Sequence, residues 1–350
     1  MEPEGGMGHS DPAARIGERP KILVVRFSSI GDVLLTTPVL RAIKTRWPES
    51  HLALLTRDRF APVVEGNPHV DEIIRLGGAA DTEALHDLIE DELAGPWDLL
   101  VDLHGSIRSR LVWRNVAAGQ KIRYSNLRLN RWLLIWCRVD FYGPEPPSVP
   151  EKYAKCLEKF GVRLDKRPCE IFLHDADREE ATRLIDAQWD AGQKYLAVAP
   201  GAAWPNKRWP AENFAEAAKR IAGQQGLNVV LLGGAGDMEV CTEVAAGLEG
   251  VPHLNLCDKL SLRGSAAALE GAAHLITNDT GLMHLATAVG TPLTAVFGPT
   301  VKQFGYFPYR AENAKVVETD LWCRPCTHNG RKHCPLGHFR CMRDVGVEGV

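Results

Sequence analysis

Residues 199–210 read APGAAWPNKRWP, and the rest of the chain is organised around this stretch. It lies between an apolar run at 195–198 (YLAV), which predicts a buried strand, and residues 211–221 (AENFAEAAKRI), which predict a helix. A strand, a glycine-containing loop and a helix N-terminus form a corner in which free N–H groups point into one hollow. Lys207 and Arg208 add cationic donors there. We interpret the corner as a site for a phosphorylated ligand, the alternative being a solvated surface loop.

The composition is that of an ordinary globular protein, and it limits the classes of function. The 350 residues are 45% hydrophobic and 24% charged, which is enough chain for two domains of usual size. A formal net charge of −3 gives no bulk basic field, so no nucleic-acid partner is expected. No apolar run approaches the roughly 20 residues that span a bilayer.

The two ends of the sequence differ in character from the middle. Residues 1–20 are polar and rich in Gly and Pro, which predicts a disordered tail rather than a signal peptide, and hence a cytoplasmic protein with reduced cysteines. Residues 321–350 hold a C-x2-C-x7-C-x6-C pattern with interleaved histidines. This pattern predicts either a structural zinc site or free thiols in a tail that packs back on the N-terminal domain. The four cysteines are Cys323, Cys326, Cys334 and Cys341.

Strand and helix patterns alternate along the chain, which predicts an α/β protein. The strands are continuous apolar runs, as in parallel sheets that helices cover on both faces. Residues 143–150 (GPEPPSVP) contain four prolines and predict a linker. The predicted strands are 21–26, 51–55, 72–76 and 98–103 before it, and 170–173, 195–198, 228–232, 274–277 and 293–297 after it. Two doubly wound, Rossmann-like domains facing a cleft are therefore expected, at residues 21–150 and 151–320.

Two aspartates end glycine-containing loops that follow predicted strands. Asp32 closes 27–32 (FSSIGD), and Asp237 closes 232–237 (LGGAGD). Ligands of doubly wound sheets bind beyond the carboxyl ends of the strands, so both carboxylates are expected at the cleft. Asp32 would be ionised there and able to take a proton from a hydroxyl, and Asp237 would accept from ribose hydroxyls. The alternative for each is a helix cap.

A further loop, residues 277–284 (TNDTGLMH), runs from a strand straight into a helix. Thr280 and the N–H groups of Gly281 and Leu282 form an anion site at the helix N-terminus. The carboxylate of Asp279 would repel a phosphate bound there unless it orients hydrogen-bond donors or a sugar hydroxyl. The candidate binding residues of the loop are Asp279, Thr280, Gly281, Leu282 and His284, the histidine being alternatively a packed one.

Several segments, in their order and spacing, resemble glycosyltransferase family 9, the heptosyltransferases of lipopolysaccharide inner-core assembly. They are residues 28–44 (SSIGDVLLTTPVLRAIK), 200–202 (PGA), 207–210 (KRWP), 229–237 (VVLLGGAGD) and 277–300 (TNDTGLMHLATAVGTPLTAVFGPT). The resemblance extends over residues 21–345. It implies the GT-B fold and the inverting, metal-independent transfer of L-glycero-D-manno-heptose from an ADP-sugar.

The resemblance also implies roles for individual residues. Asp32 matches the general base of the family, and Lys207 matches the lysine that binds the donor phosphate. The positions implied for donor binding, in the C-terminal domain, are Gly201, Asp237, Asp279, Thr280, Gly281, Leu282 and His284. No metal and no other cofactor is implied. An inverting displacement needs one base on the acceptor side and positive charge near the departing diphosphate, and these residue types supply both.

The acceptor implied by the resemblance is anionic, a Kdo-lipid A or a heptosylated core, held by the N-terminal domain. Basic candidates there are Arg57, Arg59, His104 and Arg108, each alternatively a solvated surface charge. Residues 126–138 (NLRLNRWLLIWCR) mix arginines with tryptophans and aliphatic residues. This stretch is either an amphipathic element that touches the inner membrane or a part of the core.

Two other classes of function stay open on the sequence. A sugar-nucleotide epimerase of the same fold would form product from the donor alone and would not need the cationic features of the first half. A non-enzymatic binding module would use the cysteine-rich tail for metal-dependent contacts, although the net negative charge disfavours nucleic acid.

Overall fold

The computed structural model describes residues 16–78 and 82–350, which form two parallel β-sheets. The first sheet has five strands in the order β3-β2-β1-β4-β5. They are β1 (Lys21–Val25), β2 (His51–Arg57), β3 (Glu72–Leu76), β4 (Trp97–Asp102) and β5 (Ala118–Arg123). All neighbouring pairs run parallel.

The second sheet has six strands in the order β11-β10-β9-β6-β7-β8, again all parallel. They are β6 (Tyr195–Ala199), β7 (Asn228–Leu231), β8 (His253–Asn255), β9 (His274–Asn278), β10 (Leu293–Phe297) and β11 (Ala314–Glu318). The α/β architecture with two parallel sheets, expected from the continuous apolar runs, is confirmed.

Helices lie in the crossover connections that parallel strands require. In the first half they are α1 (Ile30–Leu34), α2 (Thr37–Arg46), α3 (Thr82–Asp91), α4 (Ile107–Asn115), α5 (Arg128–Trp132) and α6 (Val149–Lys155). In the second half they are α7 (Asp175–Asp186), α8 (Ala211–Gln225), α9 (Met238–Gly247), α10 (Leu262–Gly271), α11 (Gly281–Val289) and α12 (Arg340–Arg343). Within the described ranges, no helix has the length and apolar character needed to cross a membrane.

The central strands are buried along their whole length because helices cover both faces of each sheet. Residues 22–25 of β1 and every residue of β6, β7 and β10 are buried. Their side chains pack into hydrophobic clusters on the two faces of each sheet. This two-sided burial explains why the strands show continuous rather than alternating hydrophobicity.

The termini and the linker differ from the sequence-based expectation. Residues 1–15 of the predicted tail lie outside the described residues, but Ile16 is only 1% exposed and packs in the core. The linker ends early, because Val149 and Pro150 already form the first turn of α6, whose N-cap is Ser148. α6 packs on α2, so the chain after the linker still belongs physically to the first half.

The strand prediction failed at residues 170–173 and at three of the four sheet edges that the structure describes, while the edge strand β3 lies where it was predicted. Residues 170–173 form no strand, whereas β5, β8 and β11 were not predicted. β5 and β11 are edge strands whose residues are largely half-exposed and polar, and β8 has only three residues. Such strands carry too little apolar character to be recognised by hydrophobic pattern alone.

The order of the strands fixes where a ligand site must lie. In the first sheet the order reverses between β1 and β4, and in the second it reverses between β6 and β9. At such a switch point the connections leave in opposite directions and open a crevice at the carboxyl ends of the strands. The residues after β1, β4, β6 and β9 are therefore the ones that the fold presents to a ligand.

Candidate active site

A cavity of about 700 Å³ lies between the two halves, at both switch points. The first half lines it with residues that follow β1, β4 and β5, and the second half with residues that follow β6 and β9. Of the predicted site residues it contains Asp32, His104, Lys207, Asp279, Thr280, Gly281 and His284. The fold thus brings the predicted base and the predicted phosphate-binding lysine to one cavity from opposite sides.

Asp32 is held by donors on both of its carboxylate oxygens. Oδ1 is 2.6 Å from Arg26 Nη2 and accepts a hydrogen bond from the Tyr306 hydroxyl at 3.2 Å. Oδ2 accepts from the backbone N–H of Ser29 at 3.0 Å and from its hydroxyl at 2.9 Å. Ser29 is the N-cap of α1, so the capping interpretation and the active-site interpretation of Asp32 describe one geometry.

The surroundings of Asp32 keep it ionised. Burial by itself raises the pKa of the Asp32 carboxyl. The charge of Arg26 and the hydrogen bonds from Ser29 lower this pKa by more than burial raises it, so the net shift is downward. Arg26 is itself buried and donates to the backbone oxygens of Ser28 and Leu103 as well. Its position immediately after an apolar strand is the sequence signal that would have identified it as a site residue.

Lys207 is fixed by a carboxylate from the neighbouring loop. Its Nζ lies 2.5 Å from Asp279 Oδ2, and the same oxygen accepts from the Thr300 hydroxyl at 2.8 Å. Asn278 ties the two loops together, because it accepts from the Trp209 N–H at 3.0 Å and donates to Pro200 O at 2.7 Å. Asp279 thus orients the Lys207 ammonium group, which is one of the two roles that the sequence left open for a carboxylate in this loop.

The N-terminus of α11 opens into the cavity beside Lys207. Thr280 is its N-cap, and Gly281 is its first residue; both line the cavity. Leu282 follows them but packs against the core and does not line the cavity. The free N–H groups of this first turn and the helix dipole favour an anion at this point.

The two halves meet where α1 and α11 touch. A Cβ on Gly31 would lie 2.5 Å from His284 Cδ2, and one on Gly281 would lie 3.1 Å from Ile30 Cβ. Gly31 therefore permits an approach that a side chain would block, and Gly281 one that a side chain would make tight. His284 is 4% exposed, and burial lowers the pKa of its imidazole, so it packs as a neutral ring at this contact while one edge borders the cavity.

Gly201 and Asp237 form a separate cluster behind Lys207. A Cβ on Gly201 would lie 2.1 Å from Asp237 Cγ, so any larger residue there would displace that carboxyl group. Arg208 Nη2 is 3.8 Å from Asp237 Oδ1, and Arg208 Nε donates to Ala202 O. Neither Gly201 nor Asp237 lines the main cavity. Trp209, which follows Arg208, is buried in the core.

The predicted acceptor residues divide into two groups. His104 lines the cavity, where burial and the charge of Arg26 lower the pKa of its imidazole to about 4. Arg57, Arg59 and Arg108 do not line it. Burial, and then the nearby charges of Arg108 and Arg59, lower the pKa of Arg57.

Besides Arg26, which is paired with Asp32, the cationic groups that reach the cavity from the first half come from α5. Arg128 and Arg131 line it, together with Tyr124 and Asn126 after β5. Their signal in the sequence was the mixture of arginines and tryptophans at 126–138, which was read as a membrane or core element rather than as a cavity wall. Tyr306 had no local signal, because it lies 274 residues from its partner Asp32.

The cysteine-rich tail forms part of the cavity wall. His328 and Asn329 line the cavity, and the backbone of Arg331 is bonded to Asn206 at 2.7 and 3.3 Å. Burial and the charge of Arg131 lower the pKa of His328 to about 3.

Residues 321–350 contact both halves of the protein. Cys323 and Pro325 accept from Arg138 of the first half, whereas Cys341 and Met342 pack in the core of the second. Across residues 16–78 and 82–350, no three His, Cys, Asp or Glu side chains are grouped as metal ligands would be.

Comparison with known proteins shows the family of the chain. The model of glycosyltransferase family 9 (heptosyltransferase) matches residues 88–336. The lipooligosaccharide heptosyltransferase 2 of Campylobacter jejuni is 36% identical over 163 residues, which are 45% of this chain and 49% of that protein. The chain thus spans about half the length of that relative. The lipopolysaccharide heptosyltransferase 1 of Pseudomonas aeruginosa is 28% identical over 344 residues, 94% of this chain and 92% of that protein.

Solved structures agree on the fold. A glycosyltransferase of family 9 from Veillonella parvula superposes with a TM-score of 0.79 at 26% identity and covers 94% of both chains. The E. coli heptosyltransferase WaaC, solved with ADP-2-deoxy-2-fluoro heptose, superposes with a TM-score of 0.63 at 23% identity, over 86% of this chain and 93% of that one. The predicted GT-B fold is confirmed. Since the family model matches most of its length, the chain belongs to glycosyltransferase family 9, the heptosyltransferase family.

Proposed function

We propose that the protein is an inverting glycosyltransferase that moves heptose from ADP-L-glycero-D-manno-heptose to a hydroxyl of an inner-core lipopolysaccharide acceptor, a Kdo or a heptose. One observation carries the proposal. An ionised carboxylate, Asp32, and a cationic corner made by Lys207 and the N-terminus of α11 line one cavity from opposite halves. The names of the relatives in family 9 supply the sugar and the acceptor class.

The proposed reaction is a single displacement at the anomeric carbon. The acceptor hydroxyl gives its proton to Asp32, its oxygen forms the new bond to the anomeric carbon, and the bond from that carbon to the diphosphate breaks. ADP leaves as an anion on the opposite face, so no strong acid is required on the donor side. One carboxylate on the acceptor side is the minimum that this chemistry needs.

Asp32 must exchange one of its donors for the acceptor hydroxyl. In the structure both of its oxygens are occupied, and the 3.2 Å bond from Tyr306 is the longest of the four contacts. The other three come from Arg26 and Ser29, which belong to the same half as Asp32. We propose that the acceptor hydroxyl takes the place of the Tyr306 hydroxyl at Oδ1, while Arg26 keeps the carboxylate oriented.

The departing diphosphate is proposed to lie between Lys207 and the first turn of α11. The lysine is 13% exposed and is held by Asp279, so its ammonium group is positioned before a ligand arrives. Preorganised positive charge near a developing anion stabilises the transition state without reorganisation. Donor contacts of Gly201, Asp237, Thr280 and His284 complete the proposed donor side.

On the acceptor side we propose that Arg128 and Arg131 bind the anionic groups of the acceptor, with His104 as a neutral wall. Both arginines reach the cavity from α5, on the half that carries Asp32. Arg57, Arg59 and Arg108 are then available only to more distant acidic groups of a large acceptor. With a lipid-borne acceptor, the enzyme acts at the inner face of the inner membrane.

The test is product analysis by mass spectrometry after incubation with ADP-heptose and a panel of truncated core acceptors. The proposal expects acceptor mass increased by one heptose, together with stoichiometric ADP. Incubation with the donor alone separates the alternative, because an epimerase converts the ADP-sugar without any acceptor. Conversion of the donor alone, with no acceptor product from any member of the panel, would overturn the proposal.

A further inference from the structure

We propose that the surface formed by Leu129, Trp132, Trp136, Val139 and Phe141, here named the aromatic ridge, docks on a bilayer with anionic headgroups. The inference rests on the proposed function in one respect, namely that the acceptor is carried on a lipid. The exposure of the ridge side chains, the charge of the arginines beside them and the position of the ridge near the cavity do not depend on the reaction.

The aromatic ridge is a run of large apolar side chains that face outward. Leu129, Trp132 and Trp136 are 67%, 53% and 65% exposed. α5 continues into a π-helical turn at Leu133–Cys137, so these three follow helical spacing on one face. The opposite face is the packed one, because Leu134 is buried against Tyr142 and Phe304. The tryptophans therefore do not belong to the core.

Exposed tryptophans on one helix face need a partner of suitable chemistry. Trp and Tyr favour the boundary between hydrocarbon and headgroups, because their rings are apolar and their polar atoms are hydrated there. An interfacial helix with aromatic residues on one side and arginines flanking them is typical of proteins that lie on a membrane surface.

The arginines beside the aromatic ridge are not neutralised. Arg128 donates to Gly105 O, Arg131 to the His328 ring, and Arg138 to Ile135 O, Pro325 O and Cys323 O. All of these partners are uncharged, since burial keeps His328 neutral. Within the described residues none of the three forms an ion pair, and residues 126–139 contain no Asp or Glu. Arg128 and Arg131 line the cavity, where their charge serves the proposed acceptor, whereas Arg138 is exposed outside it and is left for anionic headgroups.

The aromatic ridge is fixed to the body of the protein rather than carried on a free loop. Arg138 binds the backbone of the tail at Cys323 and Pro325, with distances of 3.0 and 2.5 Å. Arg131 Nη1 lies 2.8 Å from His328 Nε2. A surface that is formed before binding loses little conformational freedom on docking.

The same helix links the ridge to the cavity. Arg128 and Arg131 line the cavity, while Leu129, Trp132 and Trp136 point outward from the same turns. Eight residues of helix separate Arg128 from Trp136, which is about 12 Å at 1.5 Å per residue. An acceptor whose sugar enters the cavity can therefore keep its acyl chains in a bilayer that touches the ridge.

The test compares binding to vesicles of phosphatidylcholine with and without phosphatidylglycerol, by co-sedimentation of the full chain. Wild type is expected to bind the anionic vesicles, and less so at high salt. The double variant Trp132→Ser/Trp136→Ser is expected to lose about tenfold or more in partitioning. Met238→Ser, an exposed apolar residue on α9 in the second half, serves as control and is expected to bind like wild type. Thermal unfolding of all three checks that the variants are folded.

Transfer assays then separate this inference from the proposed function. The double variant is expected to transfer heptose to a deacylated, water-soluble acceptor at the wild-type rate, but to a vesicle-borne acceptor more slowly. Wild type that binds anionic vesicles but forms no product on any acceptor would overturn the proposed function alone. A folded double variant that partitions like wild type would overturn the docking surface. A second outcome would also overturn it: the wild type forms a dimer, the double variant is a monomer, and both bind vesicles equally, which would mean that the ridge serves self-association.

Discussion

The hydroxyl of Tyr306 donates a hydrogen bond to Asp32 Oδ1 at 3.2 Å, from the second half of the protein to the first. The carboxylate is thus one point at which the two halves are joined by a polar contact inside the cavity, the contact of Arg131 with His328 being another. Arg26 and Ser29 hold the same group from its own side. The contact between the two halves and the orientation of the proposed base therefore share one side chain.

Tyr306→Phe is expected to raise the pKa of Asp32, because a hydrogen bond to the charged form lowers a pKa and its loss reverses that shift. The acidic limb of kcat/KM should move to higher pH by a fraction of a unit, with less than about a tenfold change near pH 7, since Asp32 stays ionised there. The measurement is the pH profile of transfer. Tyr195→Phe, which removes a buried hydroxyl bonded to Ala268 O far from the cavity, is the matched control and should leave the limb in place. Superimposable profiles for Tyr306→Phe and wild type would refute this role.

Lys207 and Asp279 are expected to behave as one unit in donor binding. Lys207→Ala leaves the Asp279 carboxylate, which is 8% exposed, without its ion-pair partner and next to the proposed diphosphate position, so the Kd for ADP should rise about 100-fold. Adding Asp279→Asn removes that repulsion and should recover about tenfold of the loss. Titration calorimetry of the wild type, both single variants and the double variant completes the cycle. Strictly additive losses would show that the two side chains act independently.

Close packing of α1 on α11 predicts a cost for Gly31→Ala. The new Cβ would lie 2.5 Å from the buried ring of His284, and the two helices have to separate. The free energy of unfolding should fall by about 1–3 kcal/mol, as for other overpacked contacts. Transfer should slow because α1 carries Asp32, while ADP affinity changes little.

Gly223→Ala is the matched control for this substitution. Gly223 lies in α8, and a Cβ there meets nothing within 4 Å. The variant should be as stable as wild type or more stable by up to about 1 kcal/mol, given the helix propensity of alanine. Equal stability and activity of Gly31→Ala and wild type would contradict the close contact.

The neutral histidines of the cavity predict how stability depends on pH. The folded pKa of His328 is about 3, against 6.5 for the free side chain. In that interval the unfolded chain binds more protons than the folded protein, so the free energy of unfolding should fall as the pH drops from 6.5 towards 3. His328→Gln should flatten this dependence, whereas His333→Gln, at an exposed position in the same tail, should not. Chemical unfolding between pH 4 and 7 measures it; parallel curves for wild type and His328→Gln would be the contrary result.

The central strands and the loops that follow them were predictable, because burial on both faces leaves a continuous apolar run that local pattern detects. β1, β6, β9 and β10 appear close to their predicted positions. The edge strands β5 and β11 were not predicted, since most of their residues are only partly buried and polar and apolar residues are mixed in them. Sequence pattern thus identifies the strands that carry the cavity better than those that border the sheets.

Site residues that directly follow a central strand were predictable. Site residues that reach the cavity only through contacts between distant parts of the chain were not. Asp32, Lys207 and Asp279 follow β1, β6 and β9, so the fold fixes their place. Tyr306 and His328 reach the cavity only through long-range packing, which a single sequence does not display. Nor did the sequence show which face of α5 lines the cavity and which is exposed.

The most direct measurement is heptose transfer by Asp32→Asn under saturating ADP-heptose, with ADP-heptose affinity measured on the same preparation. Asp98→Asn, at the opposite end of the first sheet where Asp98 accepts from Lys21 N, is the control. The account predicts that Asp32→Asn loses transfer by about 1,000-fold or more, while donor affinity stays within about threefold of wild type. Transfer at the wild-type rate, or a loss of donor binding as large as the loss of transfer, would contradict the account.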